Sequence, residues 1–216
     1  MSLSLQELEN LRKNYALGRL DEADCPADPM DMFQRWLKEA LTSECDEPNA
    51  FTLSTVSGGR PRGRVVLLKG LVGGELVFYT NYDSPKGKEL ESAGHAAATF
   101  LWLPLQRQVR VEGTIRRAPA DMSDAYFASR PHDSQIGALA SPQGQVVRDR
   151  AVLERSFQLA EEQYPPGTPV PRPANWGGLM IAPTYWEFWQ GRRSRLHDRI
   201  AYQLTGEVWK RMRLAP

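Results

Sequence analysis

The stretch Arg62-Gly63-Arg64-Val65-Val66-Leu67-Leu68-Lys69-Gly70-Leu71-Val72-Gly73-Gly74-Glu75-Leu76-Val77-Phe78-Tyr79-Thr80 decides how the chain is read. It holds two short runs, residues 62–69 and 75–80, rich in β-branched and aromatic side chains, and Gly73-Gly74 between them suits a hairpin turn. Upstream, Gly58-Gly59 joins the first run to another at residues 51–56, and downstream residues 96–102 and 107–116 continue the series. Consecutive runs with tight connections predict an antiparallel barrel or sandwich, not a doubly wound sheet. No GxGxxG or P-loop pattern interrupts them. In Gln108-Val109-Arg110-Val111-Glu112-Gly113-Thr114-Ile115 the alternation is clean, giving one core face and one polar face that carries Gln108, Arg110, Glu112 and Thr114. Arg64 and Lys69 have opposite parity in a regular strand. A bulge, a strand end or a second subunit is needed to aim both at one site, and Gly70 permits the strand-end solution.

Helices are predicted around this sheet. Asp28 suits an N-cap and Pro29 the first helical position, and Phe33, Trp36, Leu37, Ala40 and Leu41 recur at the spacing of one buried face, ending near Glu44. Ser84 and Pro85 open a second, short helix whose free amides, with Lys86 and Lys88, suit a phosphate, although many capped surface helices carry lysines and bind nothing. Residues 121–129 read as helix, with Tyr126 and Arg130 one turn apart; Pro131 then breaks it and a further helix runs through residues 134–140. Tyr126, Arg130 and Ser134 make the donor set of a phosphate monoester site, or equally a surface arginine stacked on tyrosine. Ser141-Pro142-Gln143-Gly144 reads as a turn before an amphipathic helix at residues 148–164, with Leu153, Phe157 and Ala160 inward. A proline-rich crossover at 165–173 leads to the last strands, 179–190, 200–204 and 207–214. The class is mainly β with flanking helices (α+β): one domain at residues 28–216 after a flexible N-terminal arm, residues 1–27.

With 216 residues the chain suits one sizeable domain, and 41% hydrophobic with 25% charged residues is ordinary for a globular protein. A net charge of +1 gives no global pull toward nucleic acid or a membrane surface, so any anion site is local. The absence of a long apolar run or a signal-like start predicts a cytoplasmic protein. Cys25 and Cys45 lack partners at metal-ligand spacing and read as reduced thiols. His95, His132 and His197 form no zinc pattern, so no metal is expected.

The chemically dense segment is Trp186-Glu187-Phe188-Trp189-Gln190-Gly191-Arg192-Arg193-Ser194-Arg195-Leu196-His197-Asp198-Arg199. If extended from Arg195 onward, it puts Arg195, His197 and Arg199 on one face, which needs anionic partners if buried. The bland reading is a solvated edge strand guarded by its charges.

This segment closely resembles the C-terminal signature of the pyridoxine (pyridoxamine) 5'-phosphate oxidase family, an EFWQG run followed by RLHDR. Residues 64–69, Phe78-Tyr79-Thr80-Asn81, Arg107-Gln108-Val109, Ser129-Arg130-Pro131 and Ser134-Gln135-Ile136-Gly137-Ala138 extend the likeness over residues 11–216. The resemblance implies an FMN-binding split β-barrel working as a homodimer with flavins in clefts between subunits. It implies FMN contacts from Arg64, Val65, Val66, Leu67, Leu68, Lys69, Tyr79, Thr80, Lys86, Gln108, Gln143, Trp189 and Arg199. Lys69, Tyr126, Arg130 and Ser134 would hold the substrate phosphate, Arg12 and Tyr15 would cover it, and Arg195 and His197 would lie over the pyridine ring as the catalytic pair. The implied reaction is oxidation of pyridoxine or pyridoxamine 5'-phosphate by dioxygen to pyridoxal 5'-phosphate and hydrogen peroxide. A split-barrel oxidase of another substrate, such as a phenazine precursor, and a non-catalytic pyridoxal phosphate carrier are the alternatives. Two departures stand out: Pro85 where the family commonly has arginine, and Gly144 where it often has serine. Both predict weaker FMN retention.

Overall fold

The computed structural model describes Gln6, Glu9, Asn10 and residues 14–216. Two compact units emerge: Met1–Pro48 with Thr99–Val111 and Tyr185–Pro216, and Asn49–Ala98 with Glu112–Thr184.

The second unit is built on three strands foreseen, β1 (Ala50–Ser57), β2 (Arg60–Leu67) and β4 (Glu75–Asn81), and on a short one not foreseen, β3 (Gly70–Val72). Parts of β5 (His95–Trp102), β6 (Arg107–Arg117) and β7 (Trp176–Gln190) join them. The order is β2-β1-β5-β6-β7-β4-β3. Both glycine pairs close hairpins with positive φ, from 55° and 73° at Gly58-Gly59 to 59° and 80° at Gly73-Gly74. One strand differs from expectation: residues 62–69 are not continuous. β2 stops at Leu67, after which the Leu68 amide bonds Asn49 O (2.8 Å) and the Lys69 amide bonds Val77 O (2.8 Å). The chain thus leaves β1 for β4, and this strand end removes the parity conflict between Arg64 and Lys69. Phe51 and Phe78 meet edge to face at 5.8 Å beneath, and Val77, Ala118 and Met180 form a small apolar cluster.

Helices of this unit are α2 (Pro85–Ala93), α3 (Ala120–Ser129), α4 (His132–Ala140) and α5 (Arg150–Gln163). The Ser84 side chain caps α2 by accepting from the Gly87 amide, with Pro85 at the first turn as read from sequence. Leu153, Phe157 and Ala160 of α5 are only half-buried.

In the first unit α1 (Pro29–Leu41) starts at the Asp28 cap. Its buried stripe is Met32, Phe33, Trp36 and Ala40; Leu41, expected inside, is 62% exposed because the helix ends there. Phe33 packs on Phe100 and Trp186, and Trp36 packs edge-on against Phe188. β8 (Asp198–Thr205) pairs with the end of β7, from Tyr185↔Gln203 to Gln190↔Asp198, and β9 (Val208–Arg213) pairs with β8. This register makes residues 191–197 a connection, so the extended run expected from Arg195 to Arg199 does not form. Arg193–Arg195 is a 3-10 turn with positive φ at Ser194 (57°) and Arg195 (62°), and Arg195, His197 and Arg199 share no strand face.

Candidate functional site

The second unit carries a cavity of about 370 Å³ lined by Arg64, Val65, Val66 and Leu67 of β2, Lys69 beyond it, and Tyr79 and Thr80 of β4. Lys86, Tyr126, Arg130, Gln143 and Trp176 complete the lining. Four lining residues are cationic, and none of the described residues lining it is a carboxylate. Leu68 turns its side chain into the core instead.

One end is polar. Gln143 Oε1 accepts from Lys86 Nζ (2.6 Å) and Thr80 Oγ1 (3.1 Å), and Lys86 Nζ lies 3.4 Å from the capping Ser84 Oγ. Burial, then the Arg64 charge, pulls the Lys86 ammonium below its ordinary value. Arg64 is held by Glu89 of α2 (2.9 Å) and by the Thr55 hydroxyl (2.6 Å), while Arg62 takes the other Glu89 oxygen (3.0 Å). Burial alone would raise the Glu89 carboxyl; Thr55 and Arg64 overrule it and hold it below the usual carboxylate range. Sequence reasoning missed Glu89 and Thr55, whose partners are distant in the chain.

The other end is aromatic. Tyr79 stacks on Tyr126 at 3.8 Å and on Trp176 at 5.6 Å. Arg130 lies over Trp176, 4.7 Å from the ring centre, instead of on Tyr126 as one sequence reading had it. Its Nη1 is buried with no hydrogen-bond partner among the described residues, and burial lowers its affinity for the proton. Tyr126 and Arg130 are brought together as expected; Ser134, in the first turn of α4, is not among the lining residues. Trp176, the first residue of β7, is a wall of the cavity that sequence reasoning missed.

The first unit gathers a second set. Tyr15 meets Trp189 edge-on at 5.7 Å and His197 at 5.8 Å, and Trp189 and His197 are 4.7 Å apart. Of the arm expected to be flexible, residues 14–20 are tied down: the Ala16 and Leu17 amides donate to Gln106 Oε1 and the Leu20 amide donates to Asp198 Oδ2. Arg12 lies outside the described residues. His197 Nδ1 accepts from the Arg192 amide (3.1 Å); burial, then Arg195, pushes the imidazole down, against the pull of Asp198. Arg195 is exposed on its turn, and Gln108 is half-buried on β6. Arg199 finds its anion inside the chain: Glu187, 2% exposed, accepts from it at 2.8 Å and from Arg110 at 3.0 Å. The Glu187 hydrogen bond also raises the Arg199 guanidinium.

The two departures noted in the sequence turn out to be neighbours: a Cβ on Gly144 would stand 2.5 Å from Pro85 Cδ.

Such a sheet beside a cation-lined cavity has the fold of the split-barrel flavoproteins. PhzG from Burkholderia lata 383, solved with tetrahydrophenazine-1-carboxylic acid, superposes with a TM-score of 0.85 at 28% identity, covering 90% of this chain and 95% of that one. An FMN-binding protein of Nostoc punctiforme related to pyridoxamine 5'-phosphate oxidase shares the fold with a TM-score of 0.66 at 16% identity, covering 89% and 98%. The chain belongs to the pyridoxine/pyridoxamine 5'-phosphate oxidase family: residues 37–164 match pyridoxamine 5'-phosphate oxidase, and residues 176–216 match the pyridoxine 5'-phosphate oxidase C-terminal dimerisation region. The pyridoxine/pyridoxamine 5'-phosphate oxidase of Methylibium petroleiphilum is 50% identical over 213 residues, 97% of this chain and 99% of that protein. Its namesake from Actinobacillus pleuropneumoniae serotype 5b is 45% identical over 210 residues, 97% and 100%. No helix among the described residues is long and apolar enough to cross a membrane.

Proposed function

We propose that this chain oxidises pyridoxine 5'-phosphate or pyridoxamine 5'-phosphate to pyridoxal 5'-phosphate, with FMN as cofactor and dioxygen as terminal acceptor. It works as a cytoplasmic homodimer in which residues 28–216 act as one domain. The observation that carries the reading is Arg130: one guanidinium nitrogen is buried without a hydrogen-bond partner among the described residues, in a cavity with three further cations, and an anion there would complete its hydrogen bonds and offset the charge. A phosphate monoester supplies that charge in the geometry a guanidinium fits.

The residues fit FMN: Lys86, Thr80 and Gln143 at the start of α2 offer cation, hydroxyl and amide to its phosphate, and Arg64 and the residues after it border its ring. Trp189 and Arg199, with Gln108, serve the same cofactor across the dimer cleft. Bound FMN supplies the two-electron acceptor that oxidation of an alcohol or amine carbon requires, and dioxygen leaves as hydrogen peroxide. Lys69, Tyr126 and Arg130 hold the substrate phosphate, with Ser134 closing around it and Arg12 and Tyr15 covering it. Arg195 sits nearest the reacting carbon. His197 has Nδ1 engaged by the Arg192 amide, which leaves the proton on Nε2 and makes this edge the donor toward the substrate.

The test is a visible spectrum of protein loaded with FMN, followed by anaerobic pyridoxine 5'-phosphate. Bleaching of the flavin band is expected in the parent, and Arg130→Ala should need roughly a hundredfold more substrate for the same bleaching. A bound flavin that stays oxidised with pyridoxine and pyridoxamine phosphates, yet bleaches with a reduced phenazine carboxylate, defeats the reading in favour of a PhzG-like substrate. Uptake of pyridoxal phosphate without FMN or peroxide defeats it in favour of a carrier.

A further inference from the structure

The turn at residues 141–145 carries Gln143 over the start of α2, and what seats it there is a contact between two residues that bear no charge. Gly144 has φ +79°, and an added Cβ would stand 2.5 Å from Pro85 Cδ and 3.1 Å from Pro85 Cγ. The pyrrolidine ring has no rotamer by which to withdraw, and its place at the first turn of α2 is fixed by the Ser84 cap. On the other side of the contact, the Gln143 amide bonds Ser141 O (2.9 Å) and the Gln145 amide bonds Pro142 O (3.0 Å), so the turn is a closed unit that moves as a whole. That unit holds the side chain whose Oε1 takes hydrogen bonds from Lys86 (2.6 Å) and Thr80 (3.1 Å).

We propose that Pro85 and Gly144 form a positioning pair: the proline ring packs into the space a bare glycine leaves, and this contact sets Gln143, Lys86 and Thr80 for the phosphate end of the cofactor. The inference rests on the flavin reading of the cavity. Neither residue touches the cofactor through a functional group; each acts through Gln143 and Lys86. Any side chain at 144 displaces the turn, takes Gln143 Oε1 out of reach and releases Lys86 from its fixed direction. The two positions are therefore coupled: a side chain at 144 meets both the positive φ and the proline ring, and replacing Pro85 removes the second cost alone.

Two measurements test this. In a titration of flavin-free protein with FMN, followed by quenching of flavin fluorescence, Gly144→Ala weakens binding roughly tenfold, and the double variant Pro85→Ala/Gly144→Ala, which relieves the clash and keeps the positive-φ strain, binds roughly threefold tighter than Gly144→Ala alone. A Gly144→Ala protein that binds as the parent does, or a double variant no tighter than Gly144→Ala alone, overturns the proposal. The second measurement needs no flavin and no substitution at the strained glycine: in folded Pro85→Ala, hydrogen exchange at the Gln143 and Gln145 amides speeds up several-fold while the central strands keep their protection. Unchanged exchange at those two amides overturns the contact itself. A parent that quenches no FMN fluorescence overturns the flavin reading, and with it the pair's cofactor role, whereas the exchange result judges the contact alone.

Discussion

His197 shows how much a single hydrogen bond decides. Because the Arg192 amide points at Nδ1, the ring is neutral with its proton on Nε2, and burial followed by the Arg195 charge keeps it so, with Asp198 opposing. The folded imidazole therefore titrates below its ordinary value. The unfolded chain binds a proton that the folded one refuses, so this group lowers stability as pH falls through the ordinary imidazole range and contributes nothing above it. In Arg195→Gln the His197 ring is expected to titrate higher but still below the ordinary value, since burial remains; ring-nitrogen NMR follows it and also reports the tautomer. An Nδ1-protonated ring at neutral pH contradicts this arrangement. The residue types here were legible in the sequence, and their geometry was not. Arg195 and His197 stood in a motif, but the left-handed backbone at Ser194 and Arg195 follows from where β8 pairs with β7, which alternation does not encode.

Helix α2 is the element on which the cavity turns, and its start was readable because capping is local: Ser84, Pro85 and Gly87 lie within one turn. Its other contribution was not readable. Glu89 is 6% exposed and gathers Thr55, Arg62 and Arg64 from strands that are remote in sequence, so only the paired β1 and β2 make it a partner. The same holds for Arg199 and Glu187, where sequence logic demanded an anion and the fold supplied a carboxylate of its own. Glu89→Gln removes the charge while leaving both guanidiniums. It is expected to cost about 2 kcal/mol at neutral pH, read from urea midpoints at constant slope. Since the folded Glu89 carboxyl lies below its ordinary value, that stability is present above the ordinary carboxylate range and is lost as pH falls toward the folded value. The gap between parent and variant should therefore close on acidification; a gap that persists in acid would mean the loss comes from packing and not from charge.

At the scale of the molecule, the antiparallel class followed from period and turns, whereas the strand switch after Leu67 needed the Lys69 amide to choose Val77 over β1. The assembly is the level that a lone chain determines least. Residues 176–216 match a dimerisation region, and β9 within it pairs with β8 alone among the described residues and leaves Val208 and Met212 exposed. If the flavin sits in a cleft that two copies share, cofactor binding and association are linked, and each strengthens the other. FMN at a hundred times its dissociation constant then contributes about 2.7 kcal/mol, which for a chain of this size raises Tm by roughly 5–10 °C. The same Tm should climb with protein concentration, and sedimentation should show a dimer that FMN tightens. A flavin-stabilised protein that sediments as a monomer, with a Tm indifferent to its own concentration, would place the cofactor within one chain and break the link between cleft and dimer.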